Sequence, residues 1–152
     1  MSIIRVDISD IETVKYITTE TINSIYPHYY PEGAVDFFLG HHNDKNIEND
    51  IRVGIVYLCF DNENNAVGTV TVKENEICRM FVLPEYQGNE YGKKLSSFAE
   101  NKISEKYNEI ILHASLPAKA IYPKRGYKEL EFHSIKTENG DYLCYDMMIK
   151  QI

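Results

Sequence analysis

The chain has no tryptophan, only three cysteines and five prolines, and no long uninterrupted apolar run. Cys59, Cys78 and Cys144 lie far apart, with neither the paired spacing of a zinc site nor the density of a disulfide framework. They read as reduced, buried thiols, and a cytoplasmic location is expected. No metal is expected either: His41 and His42 are adjacent, so they leave a helix in different directions, and no third ligand has suitable spacing. No stretch approaches the roughly 18 apolar residues of a membrane span. The opening Met1-Ser2-Ile3-Ile4-Arg5 lacks the basic region and apolar run of a secretion signal. Basic residues are also in deficit, 16 Lys/Arg against 23 Asp/Glu, for a net charge of −7. That argues against a nucleic-acid partner, which requires a basic face for the phosphates.

What remains is a chain of 152 residues, 43% hydrophobic and 26% charged, suited to one globular domain. The charge is unevenly placed. Residues 1–50 hold nine Asp/Glu against three Lys/Arg, whereas residues 87–130 hold eight Lys/Arg against five Asp/Glu. An acidic first third suits a cationic partner and a mildly basic later segment an anionic one, although solvated surface accounts for both.

The hydrophobic period divides the chain into elements. Residues 3–6 read as a short strand. Ser9-Asp10-Ile11-Glu12 has capping-box spacing before a helix that ends near Tyr26-Pro27. Pro31 opens a second helix, and a charged helical turn follows at residues 44–50. Residues 53–60, 66–73 and 76–82 read as three successive strands separated by turns. A helix over residues 88–107, a strand at 109–114, a short helix at 117–125 and a hairpin (127–137 and 142–150) complete the chain. The expected class is mixed α/β, an antiparallel meander feeding a crossover helix and a parallel strand.

The segment Val82-Leu83-Pro84-Glu85-Tyr86-Gln87-Gly88-Asn89-Glu90-Tyr91-Gly92-Lys93-Lys94-Leu95 carries the chemistry. Pro84 cannot continue a central strand, and Gly88 and Gly92 bracket a turn into a helix. The first N–H groups of such a helix lack internal acceptors and, with the positive dipole end, form an anion site. Glycine lets a diphosphate approach the backbone closely.

In these residues the chain resembles the GNAT superfamily of N-acetyltransferases, whose signature is Gln/Arg-x-x-Gly-x-Gly/Ala after a Val-x-Pro-x-aromatic strand end. Val82, Pro84, Tyr86, Gln87 and Gly92 stand in register. Downstream, Ser115 through Tyr127 resembles the family's small-polar, helix, Tyr-x-x-x-Gly-aromatic stretch, with Tyr122 and Gly126 in place. Glu90 replaces the first signature glycine.

The resemblance implies one GNAT-like domain, a mixed, mostly antiparallel sheet of six to seven strands with about four helices. Residues 1–52 would supply acceptor-side helices, 53–130 the acyl-CoA-binding core and 131–152 a C-terminal hairpin. The implied co-substrate is acetyl-CoA and the implied acceptor a primary amine of a small molecule or peptide, cationic in keeping with the acidic first third. Implied cofactor contacts are Phe81, Val82, Gln87, Gly88, Asn89, Glu90, Tyr91, Gly92, Lys93, Ser115, Tyr122, and Lys124 or Arg125 at the 3′-phosphate. Tyr122 would protonate the departing thiolate, and Glu76 would take the amine proton directly or through water. Tyr26, Tyr29 and Tyr30 would line the acceptor side, while His113 reads as a plain strand residue. The chain would act as a monomer or homodimer. Two other readings stay open: a non-catalytic acyl-CoA-binding or regulatory module, to which Glu90 points, and a nucleotide-binding domain. Against the latter, no Gly-Lys-Ser/Thr is present.

Overall fold

The first strand, β1 (Ser2–Arg5), forms one edge of a seven-stranded sheet in the computed structural model, which describes residues 1–152. A capping box follows, but it joins Asp7 and Asp10 rather than Ser9 and Glu12. The Asp7 carboxylate accepts from both the backbone N–H and the hydroxyl of Ser9, while Asp10 accepts from the Asp7 N–H. Helix α1 (Ile11–Ile25) then buries Val14, Ile17, Thr18, Thr21 and Ile22, the spacing of a single helical face. Helix α2 (Glu32–His41) starts after Pro31 without a side-chain cap of its own. Its Gly33 N–H donates instead to the carboxylate of Asp141, on the distant C-terminal hairpin, at 2.9 Å. Helix α3 (Asp44–Arg52) is capped by the Asn43 side chain.

The meander comprises β2 (Val56–Phe60), β3 (Ala66–Lys73) and β4 (Glu76–Val82). Strand β2 begins at Val56 rather than Val53 because α3 continues to Arg52 and Gly54 turns the chain at φ +76°. Helix α4 (Tyr91–Ser104) begins at Tyr91 rather than Gly88, since Gly88 and Glu90 both hold positive φ. Strand β5 (Glu109–Ser115) leads into a single turn, α5 (Leu116–Lys119). The helix expected to run to Arg125 breaks there, and Pro123 begins a separate 3-10 turn, Pro123–Arg125. Strands β6 (Lys128–Lys136) and β7 (Tyr142–Gln151) form the closing hairpin.

The sheet order is β1-β2-β3-β4-β5-β7-β6, antiparallel throughout except between β4 and β5. Helices α1–α3 cover one face, packing Ile17, Ile22 and Ile47 with Leu58 and Phe81. Helix α4 covers the other, setting Leu95, Ala99 and Ile103 against Val67, Val70 and Leu112. That second layer sits close to β3 because Gly68 lacks a side chain: a Cβ there would lie 2.9 Å from both Leu95 Cδ1 and the Phe81 carbonyl oxygen. Gly68→Ala is therefore expected to destabilise the fold by about 1–3 kcal/mol. A lower urea midpoint with an unchanged circular-dichroism spectrum is the expected reading.

The parallel seam positions the site. Strands β4 and β5 pair only through Glu76 with Ile111 and Ile77 with Leu112. Beyond those pairs they separate, so residues 78–82 and 113–115 face each other across a gap.

Candidate functional site

The gap opens into a cleft of about 670 Å³. One wall is β4, through Met80, Phe81 and Val82, continuing into the turn before α4. Gln87 shapes that turn by donating its side-chain amide to the Val82 carbonyl at 2.9 Å. Gly88 at φ +82° and Glu90 at φ +65° then swing the chain so that α4 starts with its N-terminus toward the cleft. No backbone N–H of residues 88–93 has an acceptor within the protein; the next, that of Lys94, donates to the Glu90 carbonyl. A run of free N–H groups at a helix start, beside an open cleft, is an anion cradle. Gln87, Gly88, Glu90, Gly92 and Lys93 line it. Asn89 and Tyr91 do not line the cleft, and only their free N–H groups belong to the run. The Asn89 side chain turns back to the Tyr86 carbonyl at 3.3 Å, and Tyr91 packs edge-on against Tyr86.

The opposite wall carries Ser115, Tyr122, Lys124 and Arg125. Tyr122 is buried, and its ring packs against Tyr127 at 5.4 Å, while its hydroxyl has no protein hydrogen-bond partner. Burial pushes its phenol well above the ordinary range. Arg125 is engaged by a bidentate pair with Glu100, at 3.0 and 2.9 Å, and by Ser97. Lys124 has no acidic partner, so of the two cations it is the one left for an anion.

The three acceptor-side tyrosines separate. Tyr26 lines the cleft near Phe81, and burial raises its phenol, with the Ser115 hydroxyl opposing. Tyr30 is a strut: its hydroxyl donates to the Cys144 carbonyl at 3.0 Å and accepts from the Leu116 N–H at 2.7 Å. It thereby ties the α1–α2 connection to β7 and to the start of α5. Tyr29 is exposed and lines no part of the cleft.

Glu76 stands at the far end of β4 from Phe81, five residues or roughly 16 Å away. Its carboxylate is bonded to His113 Nδ1 at 3.0 Å. That bond lowers the Glu76 carboxyl and raises the His113 imidazole. His113 lies on β5 two residues before Ser115 and on the same face, about 7 Å nearer the cleft along the strand. The sequence offered no signal for this pairing, because it depends on which residues of two strands the parallel seam aligns.

Behind the β4 wall lies a buried network. Arg79 donates to Asp50 at 3.1 Å, to Thr71 at 3.0 Å and to His42 Nδ1 at 3.3 Å. Burial, with the adjacent Arg79, lowers His42 to about 3, so its imidazole is neutral. The ring packs edge-on against Phe81 at 5.6 Å and backs the cleft wall.

A family model for the acetyltransferase (GNAT) domain matches residues 25–148, most of the chain. The chain belongs to the GNAT acetyltransferase family. GNAT proteins of known structure share its fold at low sequence identity. The GCN5-related N-acetyltransferase from Rhodopseudomonas palustris superposes with a TM-score of 0.88 at 18% identity, over 99% of this chain and 95% of that one. The PaiA N-acetyltransferase from Thermoplasma acidophilum, in complex with coenzyme A, gives 0.74 at 21% identity, over 99% and 98%. A spermidine N-acetyltransferase SpeG chimera, from Vibrio cholerae and hSSAT, gives 0.68 at 15% identity, over 99% and 94%. No curated protein matches the chain by sequence.

As a GNAT acetyltransferase the chain is an acyltransferase, and its departure from the signature is now explicable. The position of the first signature glycine is left-handed here, φ 65° and ψ 4°, which is where a residue without Cβ is favoured. Glu90 adopts the same conformation at a cost of roughly 1 kcal/mol.

Proposed function

We propose that the chain transfers an acetyl group from acetyl-CoA to a primary amine by direct attack. The observation that carries this is the unsatisfied run of N–H groups at residues 88–93, opening on the gap between β4 and β5. A diphosphate fits that cradle, and the pantetheine arm fits the gap, where the β4 edge has no strand partner. Lys124 is the cation for the 3′-phosphate. The PaiA relative, bound to coenzyme A, is in keeping with this assignment.

In this reading a backbone N–H at Phe81 or Val82 polarises the thioester carbonyl, as an oriented amide does at a developing oxyanion. Tyr122 supplies the proton to the departing thiolate; its lone hydroxyl faces the cleft and its raised phenol remains protonated at neutral pH. An aliphatic amine of pKa ~10.4 is almost wholly protonated at neutral pH, so a base is required. Glu76 is too remote to take the proton itself. It holds His113, and the His113 imidazole accepts the proton directly or through water. Tyr26 lines the acceptor side of the cleft, with His113 further along β5 from Ser115. The acceptor is a cationic amine, in line with the acidic first third of the chain and with the spermidine acetyltransferase chimera among the structural relatives.

Thermal-shift titration with CoA, acetyl-CoA, ATP and NAD tests the donor. CoA and acetyl-CoA are expected to raise Tm, by an amount that grows with the logarithm of concentration above Kd. Stabilisation by a nucleotide and by neither CoA species would sink the proposal. Thiol release with a panel of polyamines, amino acids and peptides then tests transfer, and a preference for anionic acceptors would remove the charge argument.

A further inference from the structure

On the acyl-CoA reading, on which this inference rests, Glu90 brings a negative charge to the place that holds an anion. It is a non-glycine residue held left-handed immediately before α4. It lines the cleft beside the free N–H groups of residues 88–93, where an anion is expected. Its carboxylate lies 3.2 Å from Lys93 Nζ, the first cation of α4. An anion cradle built with a strained, negatively charged residue, itself bonded to the local lysine, is not optimised for tight anion binding.

We propose that Glu90 makes binding of the CoA diphosphate compete with an intramolecular ion pair, with Lys93 as the shared cation. Without ligand, Lys93 is held by Glu90; the two side chains are 68% and 63% exposed, so the pair is weak and exchangeable. A diphosphate at the cradle draws Lys93 away and leaves Glu90 unpaired against like charge. Lys94 does not replace it, because its ammonium lies over the Tyr91 ring at 5.9 Å. The affinity for CoA and acetyl-CoA is thereby lowered, and a ligand that lacks the diphosphate escapes the penalty. Glu90 thus sets how firmly the donor and the product are held, without touching the reacting atoms.

Calorimetric titration of CoA into the wild type, Glu90→Gln, Lys93→Met and the double variant tests this at low and high salt. Glu90→Gln retains the left-handed residue, so a change in affinity reports charge rather than backbone strain. It is expected to bind CoA about three- to tenfold more tightly at low salt, with the gap closing as salt rises. Lys93→Met is expected to weaken CoA at least about twofold more in the Glu90→Gln background than in the wild type, because there the lysine has no partner to leave. The KM for S-acetylpantetheine, which lacks the diphosphate, is expected to differ far less between the wild type and Glu90→Gln than the KM for acetyl-CoA does. Equal CoA affinity of those two proteins at low salt, or strictly additive effects in the double variant, overturns the inference. A wild type that binds no CoA overturns the acyl-CoA reading together with it.

Discussion

Tyr122→Phe is expected to lower kcat roughly 100- to 1,000-fold while changing the KM for acetyl-CoA little. The substitution removes one hydroxyl and keeps the ring, so the packing of Tyr122 on Tyr127 survives and CoA binding is retained. The hydroxyl faces the cleft without a protein partner, which leaves it free to donate only to what enters. A Phe variant with full turnover removes Tyr122 from the acid role. The pH dependence separates acid from base. Burial raises the Tyr122 phenol, so no alkaline loss from it is expected below the ordinary phenol range near ~10. The His113 imidazole must be neutral to accept a proton, and the Glu76 bond raises it. Activity is therefore expected to climb with pH through a midpoint above ~6.5, and Glu76→Gln is expected to move that midpoint back down. A midpoint indifferent to Glu76 removes the pair from catalysis.

The same pair makes a small contribution to stability, with two opposite signs. His113, raised in the fold, contributes fully below its ordinary value and loses that contribution as pH rises through the raised one. Glu76, lowered in the fold, contributes fully above its ordinary value and loses that contribution as pH falls through the lowered one. The full effect lies between about pH 4.3 and 6.5. Both side chains are partly exposed, so solvent screens it.

Asp50→Asn is expected to destabilise the fold by about 3 kcal/mol, which lowers Tm by roughly 6–12 °C for a chain of this size. The Arg79 side chain is 4% exposed, and Asp50 is its only carboxylate partner. Thr71 and the neutral His42 continue to accept hydrogen bonds but offer no opposing charge. A double variant, Arg79→Met with Asp50→Leu, is expected to recover much of the loss, since apolar replacement removes the buried charge as well as its partner. Thermal denaturation of the two variants measures this. A single Asp50→Asn protein as stable as the wild type shows that the pair contributes nothing. Because His42 packs on Phe81, Asp50→Asn is also expected to loosen the β4 wall and raise the KM for acetyl-CoA.

The legibility of the site followed the range of the forces that build it. The turn before α4 was readable because its determinants are local: Pro84 ends a strand, Gly88 permits positive φ, and a helix start leaves N–H groups free whatever surrounds it. The order of strands and helices was readable for the same reason, since period and turn residues act over a few positions. Boundaries slipped where a local rule met a competing one. Asp7 took the capping role assigned to Ser9, and Glu90 accepted a backbone conformation that delayed α4 to Tyr91.

By itself, then, the sequence determined the class of fold, the turn whose helix start leaves N–H groups free, and the presence of a carboxylate in that turn. Tertiary structure alone decided that β4 and β5 part after two residue pairs, and that Glu100 engages Arg125 and leaves Lys124 unpaired. It also made Tyr30 a strut and brought Glu76 to His113. Each of these is a contact between residues distant in the chain, set by strand register and by helix packing on two faces of one sheet. Local propensity carries no information about such pairings, because they exist only once the hydrophobic layers have closed.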